Sequence, residues 1–200
     1  MSREISKAEK TRAFIIESTA EVFNKKGYAG TSLSDLTQAT GLTKGSIYGN
    51  FQNKEEVALA VFEYNCGRIS RLTGEEVERS GTYYEKLLAY AKVYKKYLRD
   101  NSGRGGCPIL NTATEADDTN PAMKEAVKKV VNRWEKNICR LIQGGIDSGE
   151  FNKDTQVRRL AISIIALIEG GVMISKITGD AANMDHVLST LDALIDGIRK

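Results

Sequence analysis

Residues 43–48 read Thr43-Lys44-Gly45-Ser46-Ile47-Tyr48. Two hydroxyls, an ammonium and a phenol crowd into that short run. A lysine reaches a guanine edge or a phosphate, serine and threonine hydroxyls suit bases or phosphates, and a tyrosine hydroxyl suits a phosphate oxygen. Such groups read nucleic acid if the segment is a helix that presents them outward. Ile47 takes the inward direction, which leaves Tyr48 on the outer side.

Catalytic chemistry has less to draw on. His186 is the only histidine, and Cys66, Cys107 and Cys139 sit at no metal-ligand or redox spacing. A metal site or a Cys-His pair therefore has almost no material, and no cofactor or metal is expected. Cys107-Pro108 has no visible base beside it and reads as a structural or pocket-lining cysteine. Gly103-Arg104-Gly105-Gly106 lacks both the Gly-Lys-Ser/Thr ending and the preceding strand of a phosphate loop, and reads as a flexible connection between helices.

The elements that must position residues 43–48 are all helical. Ile15, Thr19, Val22 and Phe23 share one face of a first helix over 7–26, which Gly27 stops after Lys25-Lys26. Thr31 or Ser32 caps a short second helix from about Leu33 to Thr40, with Asp35 in its first turn. Gly41 supplies the positive φ of a tight turn. Thr43 caps a very short third helix, Lys44 to about Asn50, and Ala39 is small where the two helices cross. Leu36, Leu42 and Ile47 form the small core. Asn53 caps a fourth helix that runs past Ile69. Further helices are expected over about 83–99, from Pro108, over 121–148, 154–178 and 185–198, with no convincing strand and no repeat. The fold class is all-α. The longest apolar stretch, Ala161 to Ile168, falls short of the roughly 20 residues of a membrane helix. Met1–Lys10 has no apolar signal core, so no membrane partner and a cytoplasmic location are expected.

Net charge is +3, and its distribution matters more than its size. Residues 1–54 hold eight basic and five acidic side chains, whereas 55–200 hold twenty-one of each. All the excess positive charge lies in the first quarter of the chain, which suits an anionic partner there.

Two short helices across a glycine turn, within a basic three-helix segment, match a helix-turn-helix. From Arg12 to Val57 the chain resembles the DNA-binding domain of the tetracycline-repressor (TetR) family. The matching positions are Arg12, Ile15, Ile16, Phe23, Gly27, Tyr28, Thr31-Ser32, Leu36, Ala39, Gly41 through Tyr48, Phe51, Lys54 and Val57. The resemblance implies an N-terminal three-helix reader over 1–53 (family boundary about 9–69) and a C-terminal ligand-binding and dimerisation domain over 54–200. It implies a homodimer on a palindromic double-stranded operator and a small-molecule ligand. The DNA-binding set is Thr31, Ser32, Thr43, Lys44, Gly45, Ser46, Tyr48, Asn50 and Lys54. Gly49 brings no side chain to DNA, and Thr19 stands where the family often has alanine. A looser likeness covers Gly145-Ile146-Asp147-Ser148-Gly149-Glu150-Phe151, before the final helix pair.

The last two helices carry more apolar surface than one subunit's core needs. The resemblance implies that they dimerise as a four-helix bundle, through Ile162, Ile165, Ala166, Glu169, Gly170, Leu191, Leu194, Ile195 and Ile198. Glu169 within that stretch needs a partner, as a pocket group or, the favoured reading, a dimer-interface hydrogen bond or a local cap. Aromatic and polar groups among the C-terminal helices, namely Tyr94, Tyr97, Cys107, Asn111, Glu115, Trp134 and Met173, are the candidates to line a ligand cavity. The competing reading is a helical small-molecule enzyme that has kept the DNA-binding segment, with Cys107, Glu115 and Glu169 as its only loose catalytic candidates. A ligand-independent regulator is the third.

Overall fold

Side-chain caps set where the helices start. In the computed structural model, which describes residues 6–100 and 105–200, Ser6 opens α1 (Lys7–Gly30) with a reciprocal capping box to Glu9. Ser32 opens α2 (Leu33–Thr40) in the same way with Asp35. Thr43 accepts from Ser46 N at the start of α3 (Lys44–Tyr48), and Asn53 accepts from Glu56 N at the start of α4 (Lys54–Arg79). Each such cap satisfies an amide that has no partner within its helix. The helical path of α1 breaks at Gly27, whose φ of 72° lies in the left-handed region. Gly41 closes α2 at φ 67° and turns the chain into α3.

Apolar spacing then closes the head. Ile15, Leu36, Ile47 and Val57 are completely buried, with Phe51 beside them, so α1, α2, α3 and the start of α4 share one core. Leu42 is only partly buried at its edge. Thr19 is also fully buried, and its hydroxyl donates to Ile15 O at 2.7 Å. That bond is why a threonine is tolerated on the inner face of α1.

The remaining helices are α5 (Tyr83–Asp100), α6 (Pro108–Ala116), α7 (Pro121–Asp147), α8 (Val157–Thr178) and α9 (Asn183–Asp196). Among the described residues there is no strand, only an isolated antiparallel bridge between Phe151 and Arg199. α4 packs on α1 at one end and on α5, α6 and α7 along its length, so one helix joins the head to the body. The Gly145–Phe151 segment proves to be a joint. Phe151 is fully buried, and the Glu150 carboxylate accepts from Tyr83 N and Tyr84 N, each at 2.8 Å, capping α5 from across the fold. Of the Gly103–Gly106 loop, residues 103 and 104 lie outside the described residues. Gly105 and Gly106 have positive φ.

Three expectations for the final helices need correction. α8 is, by length and composition, long and apolar enough to cross a membrane. The reason is that its apolar residues serve two surfaces: Leu160, Ala161, Ile164, Ile168 and Val172 face the core, while Ile162, Met173, Ile174 and Ile177 are exposed. Leu191 and Ile195 were expected at the dimer seam but are buried inside the subunit, because α9 turns them onto α5 and α8. Glu169 also points inward, where its Oε1 accepts from Cys107 Sγ at 3.1 Å. Ile162, Ala166 and Leu194 stay exposed on the outer face, with Ile165, Gly170 and Ile198 half-buried.

Candidate functional site

The outer side of the head presents Thr43, Lys44, Gly45 and Ser46, all exposed, with Tyr48 half-buried against the core. Ile47 beneath them is sealed, so the short helix has a single open side. The Thr43 and Ser46 hydroxyls lie 3.1 Å apart, and the Asn50 amide donates to Ser46 O at 2.9 Å. The Lys44 ammonium is exposed beside them. Ser32 is exposed at the start of α2, its hydroxyl shared with Asp35.

Two members of the expected DNA-binding set turn inward. Thr31 is buried, and its hydroxyl donates to Gly27 O at 2.6 Å. Lys54 Nζ donates to Tyr28 O at 2.8 Å and to Thr31 O at 3.0 Å, and lies 4.3 Å from the centre of the Tyr28 ring. Both serve the same purpose: the chain leaves its helical path at Gly27, and the carbonyls freed there need donors.

The basic surplus of the head shrinks for a similar reason. Arg12 pairs with Glu56, donates to Asn50 O and stacks 3.9 Å over Phe51, fastening α1 to the turn before α4. Lys25 pairs with Glu21 and Lys26 with Asp35, where the Lys26 hydrogen bond holds the Asp35 carboxyl well below the usual range. Lys7, Lys10 and Lys44 are left exposed without an ion pair among the described residues; Arg3 lies outside them.

Behind the head, α4, α5, α6 and α7 line a cavity of about 950 Å³ that opens to solvent on one side. Two of the residues expected to line it do so: Tyr94 and Trp134, whose rings stack at 5.2 Å with 2° between planes. Tyr90 extends the stack at 6.4 Å. Cys107 is buried just behind Tyr94, beside Glu169. Burial, together with that carboxylate, pushes the Cys107 thiol well above its ordinary range, so it stays protonated. Burial also raises Glu169 to about 7.

The other cavity candidates sit elsewhere. Tyr97 borders a smaller polar recess with Glu17, Tyr64 and Arg68. Asn111 donates to Asn24 O and Gly105 O and accepts from Lys176, tying the loop before α6 to α1 and α8. Met173 is exposed on the outer face of α8. Glu115 is a latch between the two parts of the chain: its carboxylate accepts from Tyr28 N and Ala29 N, each at 2.8 Å. A Cβ on Gly27 would stand 2.3 Å from Glu115 Oε2, so glycine there answers both the positive φ and the close approach. The sequence reading missed the α4 wall, Cys66, Ile69 and Thr73 among others. Nothing in its spacing separates a wall residue from a core residue.

Comparison with known proteins covers both parts of the chain. Residues 15–61 match the family described as bacterial regulatory proteins, tetR family, and residues 84–191 match the tetracyclin repressor-like C-terminal domain. A solved TetR-family transcriptional regulator from Cytophaga hutchinsonii is 49% identical, with 98% of each chain covered and a TM-score of 0.93. Another, from Chloroflexus aurantiacus J-10-FL, is 38% identical over 96% of this chain and 98% of that one, at a TM-score of 0.92. The HTH-type transcriptional repressor DhaR of Mycobacterium sp. (strain GP1) is 23% identical over 180 residues, which are 90% of this chain and 89% of that one. With nearly half its residues shared with one such regulator over almost its whole length, the chain belongs to the TetR family and is a DNA-binding transcriptional regulator.

Proposed function

We propose that the protein is a cytoplasmic, dimeric repressor that a small molecule entering the cavity releases from a palindromic operator. The observation that carries this reading is the position of α4. One end of that helix packs on α1 in the head, and its length forms a wall of the cavity. A ligand that moves the wall moves the head, and α6, whose Ile109 lines the cavity, also reaches α1 through Glu115. In the dimer, two α3 helices would enter the major groove in half-sites one helical turn apart, about 34–36 Å, or multiples of it. The exposed apolar face of α8, where Ile177 is 80% exposed, supports pairing with a second copy.

Lys44, Ser46 and Thr43 read or grip the DNA in this scheme, with Tyr48, Gly45 and Asn50 setting their position. Two states of the head-to-head spacing, differing by a few kcal/mol, suffice for the switch.

The experiment is fluorescence anisotropy on a duplex selected from random DNA by the purified full-length protein, repeated with each compound that quenches Trp134. A releasing compound should weaken duplex binding, and the duplex should weaken compound binding by the same factor. Compounds that fill the cavity and leave duplex affinity unchanged refute the ligand switch. Light scattering that shows a monomer refutes the dimer.

A further inference from the structure

The cavity has two chemically different sides, and their difference says what kind of molecule fits. Its inner wall is apolar: Cys66, Ile69 and Ile109 are buried there, with the Tyr90–Trp134–Tyr94 stack beside them. Its mouth is cationic. Arg71, Lys129, Arg133 and Arg140 border it against only Glu63 and Glu78. All four cations are exposed, and none has an ion pair among the described residues. Arg158 and Lys95 are each paired with a carboxylate, Glu135 and Asp185, whereas the four cations at this opening are not. Four cations against two carboxylates give the apolar opening a net positive rim.

A second, independent feature lies deeper. Trp134 is only 7% exposed, yet its indole N–H has no acceptor. A buried donor left without a partner is costly, of the order of a lost hydrogen bond, and native structures rarely keep one without a use. Trp134, Asn137 and Arg140 recur at three-residue spacing along α7 and all border the cavity. That side of α7 therefore offers an indole ring, a carboxamide and a guanidinium in sequence, from the inside outward.

Building on the ligand-switch reading above, we propose that the cavity takes an amphipathic organic anion. Its apolar body lies against the α4 and α6 wall and the stacked rings, and its acidic group rests among Arg133, Arg140 and their neighbours at the mouth. A cation or an uncharged hydrocarbon leaves the guanidiniums unanswered. A small inorganic anion leaves the apolar wall wet. Acids with a flexible chain and acids with a rigid ring share this chemistry.

The test uses two fluorescent probes with one ring system, 8-anilinonaphthalene-1-sulfonate and its uncharged parent N-phenyl-1-naphthylamine. Binding to the full-length protein is followed by energy transfer from Trp134, the only tryptophan, and an Ile69→Trp variant that fills the cavity should abolish it, which distinguishes probe in the cavity from probe on the outer apolar face of α8. The sulfonate should bind about three- to tenfold more tightly than the parent amine, the scale of one charge-assisted contact. Raising the salt to roughly 0.5 M should shrink that advantage. The Arg133→Gln/Arg140→Gln variant, altered only at exposed positions, should lose it while binding the uncharged probe as before. Decanoate and 2-naphthoate as competitors then tell whether a chain or a ring is preferred. Equal binding of both probes, or a sulfonate advantage that survives in the variant, overturns the anion class and leaves the cavity as a ligand site. Absence of energy transfer from either probe overturns the anion class and removes the support for the ligand switch as well.

Discussion

Both parts of the chain cap helices locally, as Asn120 does for α7 in the body, but only the body leaves buried side-chain polar atoms unmet among the described residues. In the head the helix starts are closed by their own neighbours: Ser6 with Glu9, Ser32 with Asp35, Thr43 with Ser46, Asn53 with Glu56. Buried Thr19 and Thr40 donate to carbonyls one turn back. Among the described residues, the buried side-chain atoms left without a partner are Trp134 Nε1, Glu169 Oε2 and Ser175 Oγ, all in the body. A reader has to hold one shape against DNA, so local bonds and a sealed core serve it. A sensor has to gain something when its ligand arrives, and unmet donors and an open cavity provide that margin.

The largest test of the contrast is packing. Leu36 is completely buried at the centre of the head, and Leu36→Ala should cost about 2–5 kcal/mol, because the sealed site cannot collapse around the void. Ile69 is as apolar and almost as buried, but it borders the cavity. Ile69→Ala enlarges a space that already exists and should fall near the low end of that range. Urea unfolding of both variants checks this, and an Ile69→Ala loss equal to that of Leu36→Ala means the cavity wall is packed as tightly as the head.

A smaller effect should come from Glu169. An ordinary glutamate titrates near 4.3, whereas burial raises this one to about 7. Between those values the folded protein binds a proton that the unfolded chain has released. Stability should therefore fall as pH rises through that window and level off above about 7, at roughly 1.4 kcal/mol for each unit of the shift. Glu169→Gln should flatten the thermal midpoint across the window and raise it at pH 8 relative to the parent. A parent midpoint that climbs with pH over the same range contradicts the burial of this carboxylate.

The same contrast explains what could be read from the sequence. Caps, the Gly41 turn and the inward triplet of Ile15, Leu36 and Ile47 act over a few residues or one helix face, so the three-helix head was legible. Tyr94 and Trp134 do reach the cavity, but the rule that proposed them, a ring with a polar tip, also proposed Tyr97, which borders a different recess. What failed depends on contacts between distant residues. Glu115 meets Tyr28 N from 87 positions away, and no spacing announces that. Leu191 and Ile195 share an apolar stripe with exposed Leu194, and a stripe alone does not tell the face toward the subunit's own core from the face toward a neighbour. Thr31 and Lys54 were assigned to DNA by residue type and position, but the break at Gly27 claims both.

That last pair sets up the finest test, because two lysines of one head should fail in different ways. Lys44 stands exposed beside Ser46 on the open side of α3. Lys44→Ala should leave the thermal midpoint unchanged and weaken duplex binding by about 1–3 kcal/mol if it reads a base. If it grips a phosphate instead, the loss should be uniform across sequences, and the slope of log K against log salt should drop by about one. Lys54 is committed to Tyr28 O and Thr31 O. Lys54→Ala should lower the midpoint, since it strands two carbonyls, at about 1–3 kcal/mol for charge-assisted bonds. Its salt slope should match that of the parent, because no phosphate contact is lost. A Lys54→Ala protein with parental stability and a reduced salt slope would return this lysine to the DNA surface and undo the reading of the Gly27 joint. Parental binding by Lys44→Ala would show that α3 presents a different edge to the groove.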